Sequence, residues 1–202
     1  VKKLHLPCDK SEIETIKCGD IVSLNGIIAT GRDAFHKHVT DTYIKNKTED
    51  DTLKKLKKVL KNTFLYHCGP IIRKKNNSYE FLAGGPTTSI REEPYEDKVL
   101  SLFNLHGVIG KGGMGNKTKA SLIKNKALYL HATGGAASLI GSKVLNVIDV
   151  MFLKEFGVPE ALWVLEVKDF LCTVTMDYKG LSVHEKVRRE SRINLEGIIA
   201  EL

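Results

Sequence analysis

Four short glycine-bearing segments punctuate this chain, each at the end of a strand-like apolar run. They are Gly31-Arg32-Asp33-Ala34-Phe35-His36, Gly84-Gly85-Pro86-Thr87-Thr88-Ser89-Ile90-Arg91, Gly110-Lys111-Gly112-Gly113-Met114-Gly115-Asn116-Lys117-Thr118 and Thr133-Gly134-Gly135-Ala136-Ala137. Glycine ends a strand and admits a tight turn, and helical patterns follow these turns. Strands and helices therefore alternate, but without strict βαβ regularity. This predicts a mixed α/β fold built around more than one sheet. With 202 residues there is enough chain for one substantial core. Residues 1–202 are expected to form a single domain, with 178–202 as a helical tail.

The hydrophobic periodicity adds the elements between the turns. Residues 20–29 read as a strand, with Gly26 marking a bend. A helical pattern runs from Asp33 to Ile44. Residues 49–61 place Leu53, Leu56 and Leu60 on one helical face and lysines on the others. The 63–83 stretch holds two strand-like runs around a turn at Asn76 and Asn77. A helix is expected over Glu96–Asn104. The apolar runs VLNVIDVMFL, ALWVLEVKDF and LCTVTMDY read as strands, and Glu185–Leu202 as a helix.

Composition excludes several classes. Hydrophobic residues make up 42%, too many for disorder over most of the length. No apolar run approaches the roughly 18–20 residues of a membrane-spanning helix, and the first 14 residues lack an apolar signal core. Lys and Arg total 31 against 24 Asp and Glu, so anionic partners are favoured. Nucleic acid is not favoured among them. The lysines of 53–61 and the Arg73-Lys74-Lys75 cluster lack aromatic interleaving and any recognition module. The cysteines Cys8, Cys18, Cys68 and Cys172 are widely spaced, with no CxxC. They read as free thiols of a reducing cytoplasm.

The four segments carry the candidate chemistry. Arg32 at a helix start can share an anion with backbone N–H groups, and His36 lies on the same helical face. The competing reading is an Arg–Asp pair at a helix start with a packed histidine. Thr87, Thr88 and Ser89 offer hydroxyls and Arg91 a bidentate clamp; alternatively Thr87 or Thr88 caps a helix. Lys111 is a point charge in a flexible loop, or a solvated lysine. That loop is not a P-loop, because Asn116 intervenes where Lys and Ser/Thr must follow at once. Gly134 and Gly135 suit close backbone approach.

Together, GDIVSLNGIIATGRDAFHK, YHCGPI, GGPTTSIR, GKGGMG, Gly134-Gly135-Ala136 and EALWVLEVKDF resemble the β subunit of class I (iron–sulfur) fumarate hydratases and L(+)-tartrate dehydratases. The same unit forms the C-terminal domain of the single-chain enzymes. The resemblance runs from about Gly19 to Asp177. It implies a swivelling β/β/α domain with mixed sheets and a heteromeric hydro-lyase, active only with its partner. Its α subunit would carry a 4Fe–4S cluster that acts as a Lewis acid, and none would be bound by this chain. An α2β2 assembly is implied. Arg32, Arg91 and Lys111 match carboxylate-binding positions, with Thr88 lining the same site. Thr87 matches the group beside the carbon that exchanges a proton, and His36 a second catalytic position. Fumarate hydration to (S)-malate is the main expectation. L(+)-tartrate dehydration is the alternative, and a non-catalytic anion- or nucleic-acid-binding module the distant one.

Overall fold

The computed structural model describes residues 1–76 and 78–200. In chain order the elements are β1 (Lys2–Leu6), α1 (Lys10–Ile13), β2 (Ile21–Thr30), α2 (Asp33–His38), a π-helical turn (Val39–Lys45), α3 (Asp51–Leu60), β3 (Phe64–Tyr66), β4 (Ile71–Lys75) and β5 (Ser78–Ala83). A 3-10 turn (Ser89–Glu92) leads into α4 (Glu96–Phe103), β6 (Gly107–Gly110), α5 (Asn116–Asn125), β7 (Leu128–His131), α6 (Ala137–Gly141), β8 (Val144–Met151), α7 (Leu153–Phe156), β9 (Leu162–Met176) and α8 (Val183–Ala200).

The architecture is mixed α/β. One seven-stranded sheet runs β1-β2-β3-β6-β7-β9-β8, and a β2–β9 pairing closes β2, β3, β6, β7 and β9 into a five-stranded barrel. Each neighbouring pair among β1, β2, β3, β6 and β7 is parallel, whereas β9 runs antiparallel to β2, β7 and β8. The hairpin β4–β5 forms a second, small sheet. Its turn includes Asn76, in the left-handed region at φ 54°; the other expected turn residue, Asn77, lies outside the described residues.

Strand alternation divides the core in two. In β3, Phe64 and Tyr66 face one apolar cluster with Leu128, Leu130, Trp163 and Leu165. Leu65 faces the other, with Val108, Tyr129 and the helix residues Phe35, Leu56 and Phe103. Both faces of these central strands are thus covered, as parallel sheets require. Helix α3 is capped by Asp50, which accepts from Leu53 N–H at 2.7 Å. Its Leu53, Leu56 and Leu60 are buried as the periodicity predicts.

Two expectations change in detail. The two late runs 161–170 and 171–178 merge into the single 15-residue strand β9, because β2 pairs along both halves and bridges the irregularity at Asp169, φ 52°. The helix expected to Ile44 begins as α2 but widens into the π-helical turn after His38. Gly26 does mark an irregularity: its φ is 104°, the pairing to β9 shifts there, and a Cβ would overlap the Leu6 carbonyl of β1. No residue of α8 is buried, and no described helix is long and apolar enough to cross a membrane.

Candidate active site

The parallel strands β2, β3, β6 and β7 end at one rim of the barrel. Register ties these ends together: Thr30 lies opposite Tyr66, Tyr66 opposite Ile109, and Gly110 opposite His131. Arg32, His67, Lys111 and Thr133 therefore leave the sheet side by side. Ligands in α/β proteins bind outside such carboxyl ends. The Gly84–Arg91 segment is stitched across the same rim. Thr87 N–H and its Oγ–H both donate to the His67 carbonyl, at 2.7 and 3.0 Å. Lys111 N–H donates to the Thr87 carbonyl, and Ser89 N–H to that of Lys111. The fourth glycine segment closes the group, since a Cβ on Gly134 would stand 3.8 Å from Lys111 Cδ. The fold thus gathers Arg32, Thr87, Thr88, Arg91 and Lys111. The Thr87 and Thr88 side chains cap no helix; Thr88 sits at the start of the 3-10 turn without a capping bond.

Charge at the rim is partly committed. Asp33 grips Arg91 in a bidentate pair, Nε to Oδ1 at 3.1 Å and Nη2 to Oδ2 at 2.6 Å. Arg32 lies 3.3 Å from Glu160 and 3.9 Å from Asp33. Glu160 also accepts from Ala34 N–H, so one backbone donor at the start of α2 is already used. Among the described residues Lys111 has no carboxylate partner. Three cations thus face two carboxylates. Gly69 leaves room for this arrangement, because a Cβ there would overlap the Arg32 guanidinium.

His36 does not reach the rim. It is fully buried one layer below, so the position expected to be catalytic holds a packed histidine. Its Nδ1–H donates to the Arg32 carbonyl at 2.8 Å, and its Nε2–H to Glu96 Oε2 at 3.1 Å. The same carboxylate oxygen accepts from His67 Nε2–H at 3.0 Å. His67 Nδ1 in turn accepts from Ser89 Oγ–H at 2.9 Å, and Ser89 accepts from Tyr129 O–H at 3.0 Å. These assignments follow from the fixed acceptors at the ends, a carbonyl and a carboxylate. Gly110 makes the ladder possible, since a Cβ there would overlap Ser89 Oγ.

Electrostatics agree with this donor pattern. Burial disfavours charge on His36, but Glu96 and then Glu92 outweigh it and raise its pKa to about 9. Burial acts against Glu96 too, yet its two imidazole donors hold it ionised. Burial keeps His67 neutral. Glu92, 3.5 Å from His36, is pushed up by burial to about 7. The sequence names Ser89 among its candidate hydroxyls but not His67, Glu92, Glu96 or Tyr129 as its partners in one site. Only the YHCGPI and TTSIR motifs, which contain His67 and Ser89, held a signal for any of them.

Two kinds of metal group can be compared with these residues. His36, His67 and Glu96 bring potential metal-ligating atoms within 4.8 Å of one another, but each ring nitrogen already has a hydrogen-bond partner. The cysteines do not fit an iron–sulfur cluster. None of them belongs to a three-residue ligand group among the described residues, whereas such a cluster is held by several cysteine thiolates together. The GKGGMG loop offers no open anion site at its helix start either. Glu93 fills the start of α5, accepting from the N–H groups of Gly115, Lys117 and Thr118 and from the Thr118 hydroxyl.

A family model described as Fumarase C-terminus matches residues 2–187. A protein of Geobacillus stearothermophilus named as a putative class I fumarate hydratase is 43% identical over 189 residues, 93% of this chain and 34% of its own length. The chain thus spans about a third of that relative. A protein of Methanocaldococcus jannaschii named as a putative L(+)-tartrate dehydratase subunit beta is 37% identical, with 94% of each chain covered. The L(+)-tartrate dehydratase subunit beta of Escherichia coli K12 is 34% identical, over 84% of this chain and 79% of its own.

Proposed function

Because the chain belongs to the fumarase C-terminal family, we propose that it is the β part of a hydro-lyase that reversibly hydrates fumarate to (S)-malate. The observation that carries this reading is the single rim where Arg32, Arg91, Lys111 and Thr87 meet. A dicarboxylate needs two cationic contacts, and three are offered. Arg91 is the most accessible of the paired cations, with a side chain 56% exposed; an incoming carboxylate would take the place of Asp33. Water at the rim screens this pair, so a ligand carboxylate can compete with Asp33 for the same guanidinium. Lys111 supplies the uncommitted charge, and Thr88 lines the same edge.

Thr87 is the group proposed to exchange the proton at carbon. Its hydroxyl is fixed by its bond to the His67 carbonyl, which leaves the lone pairs directed elsewhere. A neutral threonine hydroxyl is a weak base, and its bond to a carbonyl favours the protonated form. The base would be its alkoxide, stabilised by the rim cations once the hydroxyl proton has passed to solvent, and it would take the carbon-bound proton as hydroxide leaves. The residues here do not fit a cluster, so the 4Fe–4S group belongs to a partner α subunit in this reading, and no group of this chain is assigned to it. The rim would then form one half of an interfacial site, with two such pairs in an α2β2 assembly. The whole of 1–202 serves as one domain with 178–202 as its tail. Four free cysteines favour a reducing cytoplasm.

The test is anaerobic mixing with the cognate cluster-bearing subunit, assayed on fumarate, (S)-malate and L(+)-tartrate beside the chain alone. Activity in the mixture only is expected. Full activity of the chain alone would overturn the shared site. The second reading, dehydration of L(+)-tartrate to oxaloacetate, is favoured by the two tartrate-named β subunits, whose lengths this chain largely covers. Preference for tartrate in the same assay would establish it.

A further inference from the structure

One buried carboxylate reaches the backbone of three rim residues. Glu96, the first residue of α4, is fully buried and accepts from both His36 and His67 through the same oxygen. Through His36 it reaches the Arg32 carbonyl. Through His67 it fixes the strand end whose carbonyl takes both donors of Thr87. The far nitrogen of His67 holds Ser89, whose N–H binds the Lys111 carbonyl. Arg32 and Thr87 sit on different segments, 55 positions apart in the sequence, and no hydrogen bond joins them directly among the described residues. The β2–β3 pairing brings their strand ends together, with Gly31 N–H on the Tyr66 carbonyl at 3.0 Å, and Glu96 is the side chain that links them from below.

We propose that Glu96 is a positioning residue: it sets Arg32 and Thr87 in register with one another by gripping His36 and His67. This rests on the reading of the rim given above and adds to it a residue that touches no substrate. Three features make the grip specific rather than a generic buried pair. Both imidazoles donate to one oxygen, so their spacing is set by a single atom. Each imidazole is anchored at its other nitrogen, to a carbonyl or to a hydroxyl, so neither ring can rotate to follow a displaced carboxylate. The layer is sealed, because Gly110 leaves no room beside Ser89, and packed interiors pass displacement on rather than absorbing it. A shift of the carboxylate therefore moves the rim, and misplacement of about 1 Å at a reacting group costs on the order of 10²-fold in rate.

The experiment compares Glu96→Gln and Glu96→Asp in the holoenzyme. Glutamine keeps the shape and loses the charge; aspartate keeps the charge and withdraws it by one methylene. The aspartate variant guards against a glutamine variant that fails to fold. Each should lower kcat by on the order of 10²-fold. In a Thr87→Ala background the same changes should lower kcat far less, since the positioned group is gone. An equal fold-loss in both backgrounds would mean a structural role only and overturn the proposal. A wild-type kcat in Glu96→Asp would overturn it as well. A second readout needs no activity. In the amide NMR spectrum of the full chain, Glu96→Asp should move the Thr87 and His36 resonances together while Gly134 stays in place; an unmoved Thr87 amide would sink the idea. If Thr87→Ala keeps full turnover, the reading of the rim fails. If Thr87→Ala is inactive and Glu96→Asp is not, only this inference fails.

Discussion

Asp33 and Glu96 each hold two nitrogen-bearing partners, one at the rim and one directly beneath it. Asp33 pairs with Arg91 and Arg32 where its side chain is 37% exposed; Glu96 pairs with His36 and His67 where nothing is exposed. The chemistry of the pairs is similar, and their consequences differ because water differs. At the rim, solvent screens the pair and stands ready to replace either partner. Below it, no solvent can replace a lost partner, so removing one leaves a charge stranded. The exposed layer can therefore trade partners with a ligand, and the buried layer can only hold position.

The largest expected effect tests the buried side. Glu96→Ala should cost about 3–5 kcal/mol of folding stability, the range for breaking a buried pair. Urea unfolding of the full chain measures it, and a loss below about 1 kcal/mol would erase the contrast between the layers. Next comes the reacting group at the rim. Thr87→Ala should cut turnover by roughly 10²–10⁴-fold, the range for general acid–base groups, and alter substrate affinity little. Steady-state kinetics of the holoenzyme separate the two.

Arg91→Ala should weaken dicarboxylate binding by about 1.5–3 kcal/mol, as for hydrogen bonds to charged groups, while leaving the unfolding midpoint nearly unmoved. Equilibrium binding beside thermal unfolding would check both halves. A stability loss as large as that of Glu96→Ala would show that the rim pair is structural after all. The gentlest test is pH. The folded pKa of His36 is raised from 6.5 to about 9. Its stabilisation is therefore fully present below about pH 6.5 and lost as pH rises through about 9. Glu92 loses its proton near about pH 7, and the buried thiols Cys8 and Cys68, raised by burial, also cost stability as pH climbs past the ordinary thiol value. The histidine's part is therefore read from roughly pH 7.5 upward as the difference from His36→Gln. That part adds at most about 1.4 kcal/mol per pH unit to the slope. The slope should be shallower in His36→Gln, and an identical slope would mean that His36 is not charged in the fold.

Much of the rim is legible in the residue order. Arg32 and Lys111 adjoin glycines, and Thr87, Thr88 and Arg91 follow the Gly84-Gly85-Pro86 turn in one short segment. The amphipathic α3 is equally plain, since three leucines on one helical face report their own burial. His36 is the instructive case, since the packed histidine is one of its two readings. Its spacing from Arg32 suggests one shared helical face, but Arg32 is the extended N-cap residue that precedes α2, and the face that carries His36 points into the core. Spacing gives the angle between two side chains but not which one meets solvent.

Glu96 is hidden for a related reason. As an acid in the first turn of a helix it has an adequate local explanation, and nothing nearby in the chain reveals two histidines 29 and 60 positions upstream. Turns, the periodic helix and the family are all readable from residue order, because glycine conformation, hydrophobic spacing and motif order are written within a few residues. Which charges are wet and which are sealed is settled at the level of packing. It depends on how β3, β6 and α4 close over one another, since the free energy of a charge depends on all the atoms that exclude water from it.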